Sequence, residues 1–291
     1  MVRLVAMLLL SLSGAAAAQL INSPNDVDPL GSGAQKRGLT TSDLAKIRGA
    51  AGMIVCPGRN LNGWLINSGT QVLTALHGFI DDATSRVAAN PANCHFAPAT
   101  DPRQKLKFKT VSLLSKTKYL YLRSQPGRRP KLEQRPVKIE DTTELNLLQA
   151  KRFDLDFDND WLVLDLARPA LDAPNLKFDT AGIFYATPTM HLVSHVTGSV
   201  IHRIRGDRLT IQSCEGRSGV ILARTLLVSC FAEPGMSGGI LFRKEGDEML
   251  AIAMLVAGDV GSAQYRGVYA LWLGKPAELK LDTRNYFLPD N

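Results

Sequence analysis

Short apolar runs, separated by turn residues, recur along most of the chain. They occupy residues 52–56, 63–66, 71–76, 161–166, 183–186, 209–212, 226–230, 239–242, 249–257 and 267–273. These runs have the length of strands, and few long helical patterns accompany them. Glycine and proline punctuation between many short strands predicts an all-β sandwich or barrel. With 291 residues and 45% hydrophobic composition, the chain can bury a sizeable core.

The N-terminal residues have the pattern of a signal peptide. Arg3 precedes an apolar run from Leu4 to Leu12, and small residues follow up to Gln19. Because a membrane-spanning helix needs roughly 20 apolar residues, we expect cleavage after residue 18 and no stable membrane insertion afterwards, with a retained anchor as the alternative. The pattern predicts a periplasmic or secreted protein. Residues 19–46 are polar without sustained periodicity, which indicates a linker or propeptide before a domain over 47–291.

Four cysteines, Cys56, Cys94, Cys214 and Cys230, form an even set that fits no zinc signature. In an exported protein they are expected to form disulfides, whereas four buried free thiols are the alternative. Three pairings are possible, and we pair each cysteine with its neighbour in sequence.

Three separate segments carry the residue types of a nucleophilic site. Ser237 lies in Pro-Gly-Met-Ser-Gly-Gly, His77 follows Leu-Thr-Ala-Leu, and Asp160 precedes an apolar run. A serine hydroxyl is a poor nucleophile near neutral pH, so it needs an imidazole to take its proton and a buried carboxylate to orient that imidazole. The chain offers all three groups in the order His, Asp, Ser.

This order and these motifs resemble the chymotrypsin-type serine proteases, over about residues 49–273. The resemblance implies an all-β fold of two six-stranded antiparallel barrels, at about 47–167 and 168–275, with the site between them and a C-terminal tail over 276–291. It implies a serine endopeptidase that acts on polypeptides through an acyl-enzyme, without cofactor or metal. It also implies the pairs Cys56 with Cys94 and Cys214 with Cys230.

The resemblance assigns a role to each site residue. His77 is the expected general base, Ser237 the nucleophile and Asp160, rather than Asp154, Asp156 or Asp158, the orienting carboxylate. The backbone N–H groups of Gly235 and Ser237 are expected to hold the oxyanion. Two positions depart from the family pattern. Trp161 replaces an aliphatic residue, and Met236 replaces the aspartate that normally pairs with a freshly cut N-terminus, so we expect a pre-formed site or another latch.

The resemblance also places a specificity pocket. Phe231 is expected at its base, with Val256, Gly258 and Gly267 in its walls. Because a phenylalanine cannot compensate a buried lysine or arginine charge, we predict no preference for basic residues.

The formal net charge of +7 is concentrated between Arg103 and Lys138, where Glu133 is the single acid. This segment is either a solvated basic loop or a site for an anionic surface, and export argues against nucleic acid. A catalytically weak or inactive protease-like protein that binds anionic surfaces is therefore the alternative function, and an esterase is a third.

The acidic residues 154–165 resemble a calcium loop in part, but a solvated acidic edge is favoured. Structural roles are favoured for His191, His195 and His202.

Overall fold

The computed structural model describes residues 23–81, 86–87, 89, 91–109, 121–123, 131–133, 160–171, 173–174, 176–178, 189–195, 208–222, 225–257 and 268–272. Helices α1 and α2 span Leu30–Lys36 and Thr41–Ala50, and 3₁₀ helices span Pro24–Asp26, Leu76–Phe79 and Pro91–Asn93. The strands are β1 (Asp28–Pro29), β2 (Ala51–Cys56), β3 (Arg59–Ile66), β4 (Gln71–Thr74), β5 (Ile80–Asp81), β6 (Arg86–Val87), β7 (His95–Pro98), β8 (Leu106–Lys107), β9 (Tyr121–Arg123), β10 (Lys131–Glu133), β11 (Leu162–Asp165), β12 (Lys177–Phe178), β13 (Thr189–His195), β14 (Leu209–Leu222), β15 (Thr225–Val228), β16 (Ile240–Glu245), β17 (Glu248–Ala257) and β18 (Val268–Trp272).

The first barrel consists of six antiparallel strands in the order β11–β4–β3–β2–β7–β8. An antiparallel bridge between Phe108 and Leu166 joins the two outer strands. Beside it, the Ala167 N–H donates to the Lys107 carbonyl at 2.8 Å. These bonds close the sheet on itself, which satisfies the backbone groups that an open edge would leave exposed.

The second barrel closes in the same way. Its strands follow the order β14–β13–β16–β17–β18–β15, and β15 pairs back onto β14. Two short strands extend this ring from outside, β1 on β14 and β12 in parallel on β17. The two closed rings of six strands confirm the predicted fold class.

Alternation along the strands divides the core into three clusters. In β3, Leu65 points into the first barrel, whereas Trp64 and Ile66 belong to a cluster that lies between the barrels. In β13, Leu192 points into the second barrel and Val193 into that same central cluster. Successive residues of a strand face opposite sides of the sheet. Strands that are apolar on both faces therefore contribute one face to the interior of their own barrel and the other to the cluster between the barrels.

The stretch before residue 47, which the sequence indicates as a linker or propeptide, contains two helices. Helices α1 and α2 occupy this stretch, and the side chains of Leu30 and Ala34 are fully buried in the central cluster. Thr40 and Asp43 form a capping box that starts α2, with the Asp43 N–H donating to Thr40 Oγ1 at 3.1 Å. The helices are too short, and their apolar positions too few, for periodicity to reveal them. Whether the stretch is cleaved as a propeptide stays a prediction.

Two disulfides join Cys56 to Cys94 and Cys214 to Cys230. These are the pairs that the family resemblance implies. The first links the end of β2 to the segment before β7, and the second links β14 to the segment after β15. None of the helices in the described ranges is long and apolar enough to cross a bilayer.

Candidate active site

His77 and Asp160 lie side by side at one end of the first barrel. Strand β4 leads into the 3₁₀ helix that carries His77, and β11, which pairs with β4, is preceded by Asp160. Pairing of these two strands therefore brings together residues that are far apart in the sequence. The Asp160 side chain is 2% exposed and that of His77 is 20% exposed.

Both carboxylate oxygens of Asp160 accept hydrogen bonds from His77. The backbone N–H of His77 donates to Oδ1 at 2.8 Å, and ring Nδ1 lies 2.6 Å from Oδ2. Because a carboxylate only accepts, Nδ1 carries the proton of the neutral ring and Nε2 carries the lone pair. This is the tautomer that a general base requires.

The turn that carries Ser237 packs against the segment that leads to His77. Gly238 has a φ of +81°, and a Cβ added there would lie 2.8 Å from the Asn62 carbonyl oxygen and 3.4 Å from the backbone nitrogen of Ala75. Since Ala75 is two residues before His77, this contact brings the Ser237 turn of the second barrel to the His77 end of the first. Only a glycine fits such a close approach with a positive φ.

Most backbone N–H groups of this turn donate hydrogen bonds to backbone carbonyls of the same barrel. The Met236 N–H donates to the Glu233 carbonyl at 3.1 Å, the Gly238 N–H to Leu255 at 2.8 Å, and the Gly239 N–H to Met236 at 3.0 Å. Within the part of the chain that the structure describes, the N–H groups of Gly235 and Ser237 donate no hydrogen bond. These two uncommitted amides are the pair that the sequence suggests for an oxyanion.

Residues of the expected pocket are only partly described. Phe231 is half-buried against the core of the second barrel, and Val256 is buried in β17. The Gln212 side chain holds the backbone of Phe231 at both ends, since Nε2 donates to the carbonyl at 2.7 Å and Oε1 accepts from the N–H at 2.8 Å. Gly258 and Gly267 lie outside the described residues.

Other candidates of the sequence analysis have different positions. Asp154, Asp156, Asp158 and His202, and most of the segment between Arg103 and Lys138, lie outside the described residues. His191 and His195 are buried in β13. Among the described residues, no group of three or more His, Cys, Asp or Glu side chains could hold a metal ion.

Sequence reasoning missed the buried polar residues around the Ser237 turn. Asn62 Nδ2 donates to the carbonyls of Gly235 and Ser237 at 3.0 and 3.1 Å. Trp64 Nε1 donates to the Gly238 carbonyl at 2.8 Å. The sequence carries little signal for Asn62, because it stands directly before the apolar run 63–66 and alternates with the polar Asn60, which is typical of the exposed face of a strand.

Two solved structures resemble the chain over most of its length. The thermostable serine protease AL20, from an extremophilic microorganism, aligns with a TM-score of 0.50 and 12% identity, over 84% of this chain and 100% of that one. A Glu endopeptidase aligns with a TM-score of 0.53 and 9% identity, over 83% and 92% of the two chains. No family model and no curated protein matches the chain. At these identities the likeness concerns the fold, and the chain has the two-barrel fold of chymotrypsin-like serine proteases.

Proposed function

We propose that the chain is an exported serine endopeptidase that hydrolyses peptide bonds through a covalent acyl-enzyme. The observation that supports the proposal is the hydrogen-bonded His77–Asp160 pair, together with the close approach of the Ser237 turn to Ala75, two residues before His77. Both disulfides fit an oxidising compartment outside the cytosol.

In this proposal each residue has one chemical task. His77 Nε2 takes the hydroxyl proton of Ser237 as Oγ attacks the scissile carbonyl carbon, and the new oxyanion accepts hydrogen bonds from the N–H groups of Gly235 and Ser237. The imidazolium then returns the proton to the leaving amine, and Asp160 stabilises its positive charge. Water, activated by the same ring, releases the acyl group and restores the serine.

The proposed specificity follows from an apolar pocket base. Phe231 offers no charge to a basic side chain, so substrates with apolar residues before the scissile bond are expected to be preferred over those with lysine or arginine. A cleavage-site profile on a denatured proteome measures this preference directly.

Covalent labelling by a fluorophosphonate tests the function. Ser237→Ala is expected to abolish labelling and hydrolysis, whereas Ser68→Ala, in the exposed turn before β4, is expected to leave both unchanged. Asp160→Asn is expected to lower the turnover by roughly 10³- to 10⁴-fold, because an amide at this position favours the wrong tautomer of His77.

A folded wild-type chain that stays unlabelled and cleaves no peptide would contradict the proposal. Binding to an anionic matrix that survives Ser237→Ala would then select the alternative of a protease-like binding protein. Cleavage of esters without cleavage of peptides would select the esterase.

A further inference from the structure

The Asn62 side chain is a buried amide that bridges the two barrels. It lies in β3 of the first barrel and is 1% exposed. Nδ2 donates to the carbonyls of Gly235 and Ser237. Oδ1 accepts from the backbone N–H of His195 at 2.7 Å and lies 3.0 Å from His195 Nδ1. All four hydrogen-bonding positions of the amide are therefore used, each by a group of the second barrel.

The chemistry of these partners fixes the orientation of the amide. Two carbonyl oxygens can only accept, so they must face the NH₂ group of Asn62. The His195 backbone N–H can only donate, so it must face Oδ1. It follows that His195 Nδ1 is protonated and donates as well. A flipped amide would place an oxygen against two carbonyls, which makes the observed arrangement the one that satisfies every partner.

These bonds act on the peptide units around the nucleophile. The Ser237 N–H belongs to the peptide group between Met236 and Ser237. The Gly235 and Ser237 carbonyls belong to the peptide groups directly before and after it. Trp64 holds the next carbonyl, that of Gly238, at 2.8 Å. On the opposite side, the Met236 side chain is buried in the core of the second barrel, 2% exposed. The turn is thus held from both sides.

We propose that Asn62, itself held by His195, is the positioning residue that keeps the Ser237 turn in its oxyanion-binding shape. Trp64 and the buried Met236 side chain support it. The position where the resembling family has an aspartate for a new N-terminus is filled by an apolar anchor, and the carbonyls of the turn are held from the other barrel. The shape of the turn then needs no newly cut amino group. This inference rests on the proposed serine protease function.

The variant Asn62→Asp tests this role, because aspartate has almost the same size and shape as asparagine but lacks the NH₂ donor. One carboxylate oxygen can still accept from His195, but the other faces two carbonyl oxygens and donates nothing. With a fluorophosphonate and the full-length chain, the maximal inactivation rate is expected to fall roughly 10²-fold, the scale of a lost oxyanion donor. The half-saturating concentration is expected to stay within about threefold. Asn60→Asp, an exposed asparagine on the same strand, is the matched control and should label at the wild-type rate.

The pH dependence, measured over a range in which thermal melting shows each variant to be fully folded, separates positioning from a general loss of structure. Burial against two carbonyls disfavours the charged carboxylate, so its pKa is expected to be raised. Once protonated, the acid regains one O–H donor. The ratio of the Asn62→Asp rate to the wild-type rate is therefore expected to rise as pH falls, whereas the ratio for Asn60→Asp stays constant. A ratio for Asn62→Asp that does not change with pH would contradict the proposal.

A second variant guards against misfolding. Asn62→Ser retains one donor and introduces no charge, so it is expected to fold and to lose less activity than Asn62→Asp. Wild-type rates in both folded variants would overturn the role of Asn62 and leave the proposed function intact. Rates that fall only in proportion to the folded fraction, measured by thermal melting, would overturn it as well. An unlabelled wild type would instead contradict the proposed function.

Discussion

At the scale of single residues, the site combines motif residues with residues that no motif marks. His77, Asp160 and Ser237 could be singled out from the sequence because each lies in a short pattern with known chemistry. Asn62 could not, since its role depends on carbonyls of a turn that lies far away in the sequence. The role of a buried side-chain amide depends on its hydrogen-bond partners, and here the packing of one barrel on the other determines those partners.

The residue scale also predicts a pH effect on stability that arises at His191. Burial in β13 and the nearby charge of Arg37 lower the pKa of His191 to about 4. In the unfolded chain its pKa is about 6.5, so the unfolded state binds more protons between pH 6.5 and 4. The free energy of unfolding is therefore expected to decrease as pH falls through this window.

His191→Gln is expected to make this decrease smaller, as measured by urea unfolding at pH 7, 6, 5 and 4. The pKa of Asp43 is lowered, because hydrogen bonds from Thr40 and Lys244 outweigh the opposing effect of burial. Its stabilising contribution is lost mainly below about pH 4, outside the window assigned to the histidine. An unchanged slope in the variant would contradict the assignment to His191.

At the scale of elements, the strands could be predicted far better than the helices. The runs at 249–257 and 267–273 correspond to β17 and β18 almost residue for residue. Helix α1 contains Gly31, Ser32 and Gly33, which are typical of loops, and tertiary packing of Leu30 and Ala34 overrides that local preference. Likewise no apolar run in the sequence marks β13, because its apolar residues are interspersed with His191, Ser194 and His195.

The packing of α1 predicts that this segment stabilises the fold. Leu30 is fully buried in the cluster between the barrels, so Leu30→Ala is expected to lower the free energy of unfolding by about 2–5 kcal/mol. Leu171→Ala is the control, because Leu171 is 83% exposed and its truncation is expected to change stability by no more than about 0.5 kcal/mol. Equal stabilities of the two variants in urea would identify the segment as a dispensable linker.

At the scale of the whole molecule, the fold class followed from strand length and the family resemblance, but the closure of each barrel did not. The bridge from Phe108 to Leu166 and the return of β15 onto β14 join strands that local sequence cannot pair. The fit of the two barrels likewise depends on contacts such as the edge-to-face pair of Trp64 and Phe242, whose ring centroids are 5.4 Å apart. Contacts between residues so far apart in the chain cannot be predicted from local sequence patterns.

The two disulfides predict a global loss of stability on removal. In the chain-entropy model, a loop with the separation of 38 residues between Cys56 and Cys94 contributes about 4 kcal/mol. The separation of 16 between Cys214 and Cys230 contributes about 3 kcal/mol. Paired cysteine-to-serine variants are expected to lose these amounts in urea unfolding. Unchanged midpoints in both would show that the bonds do not constrain the unfolded chain.

Because the Asn62 amide of the first barrel is hydrogen-bonded to the backbone of the second barrel at Gly235 and Ser237, the barrels cannot move relative to each other without moving the Ser237 turn. Under the function proposed above, the reactivity of Ser237 therefore requires that both barrels are folded and packed against each other. A partly folded chain would then lack hydrolytic activity.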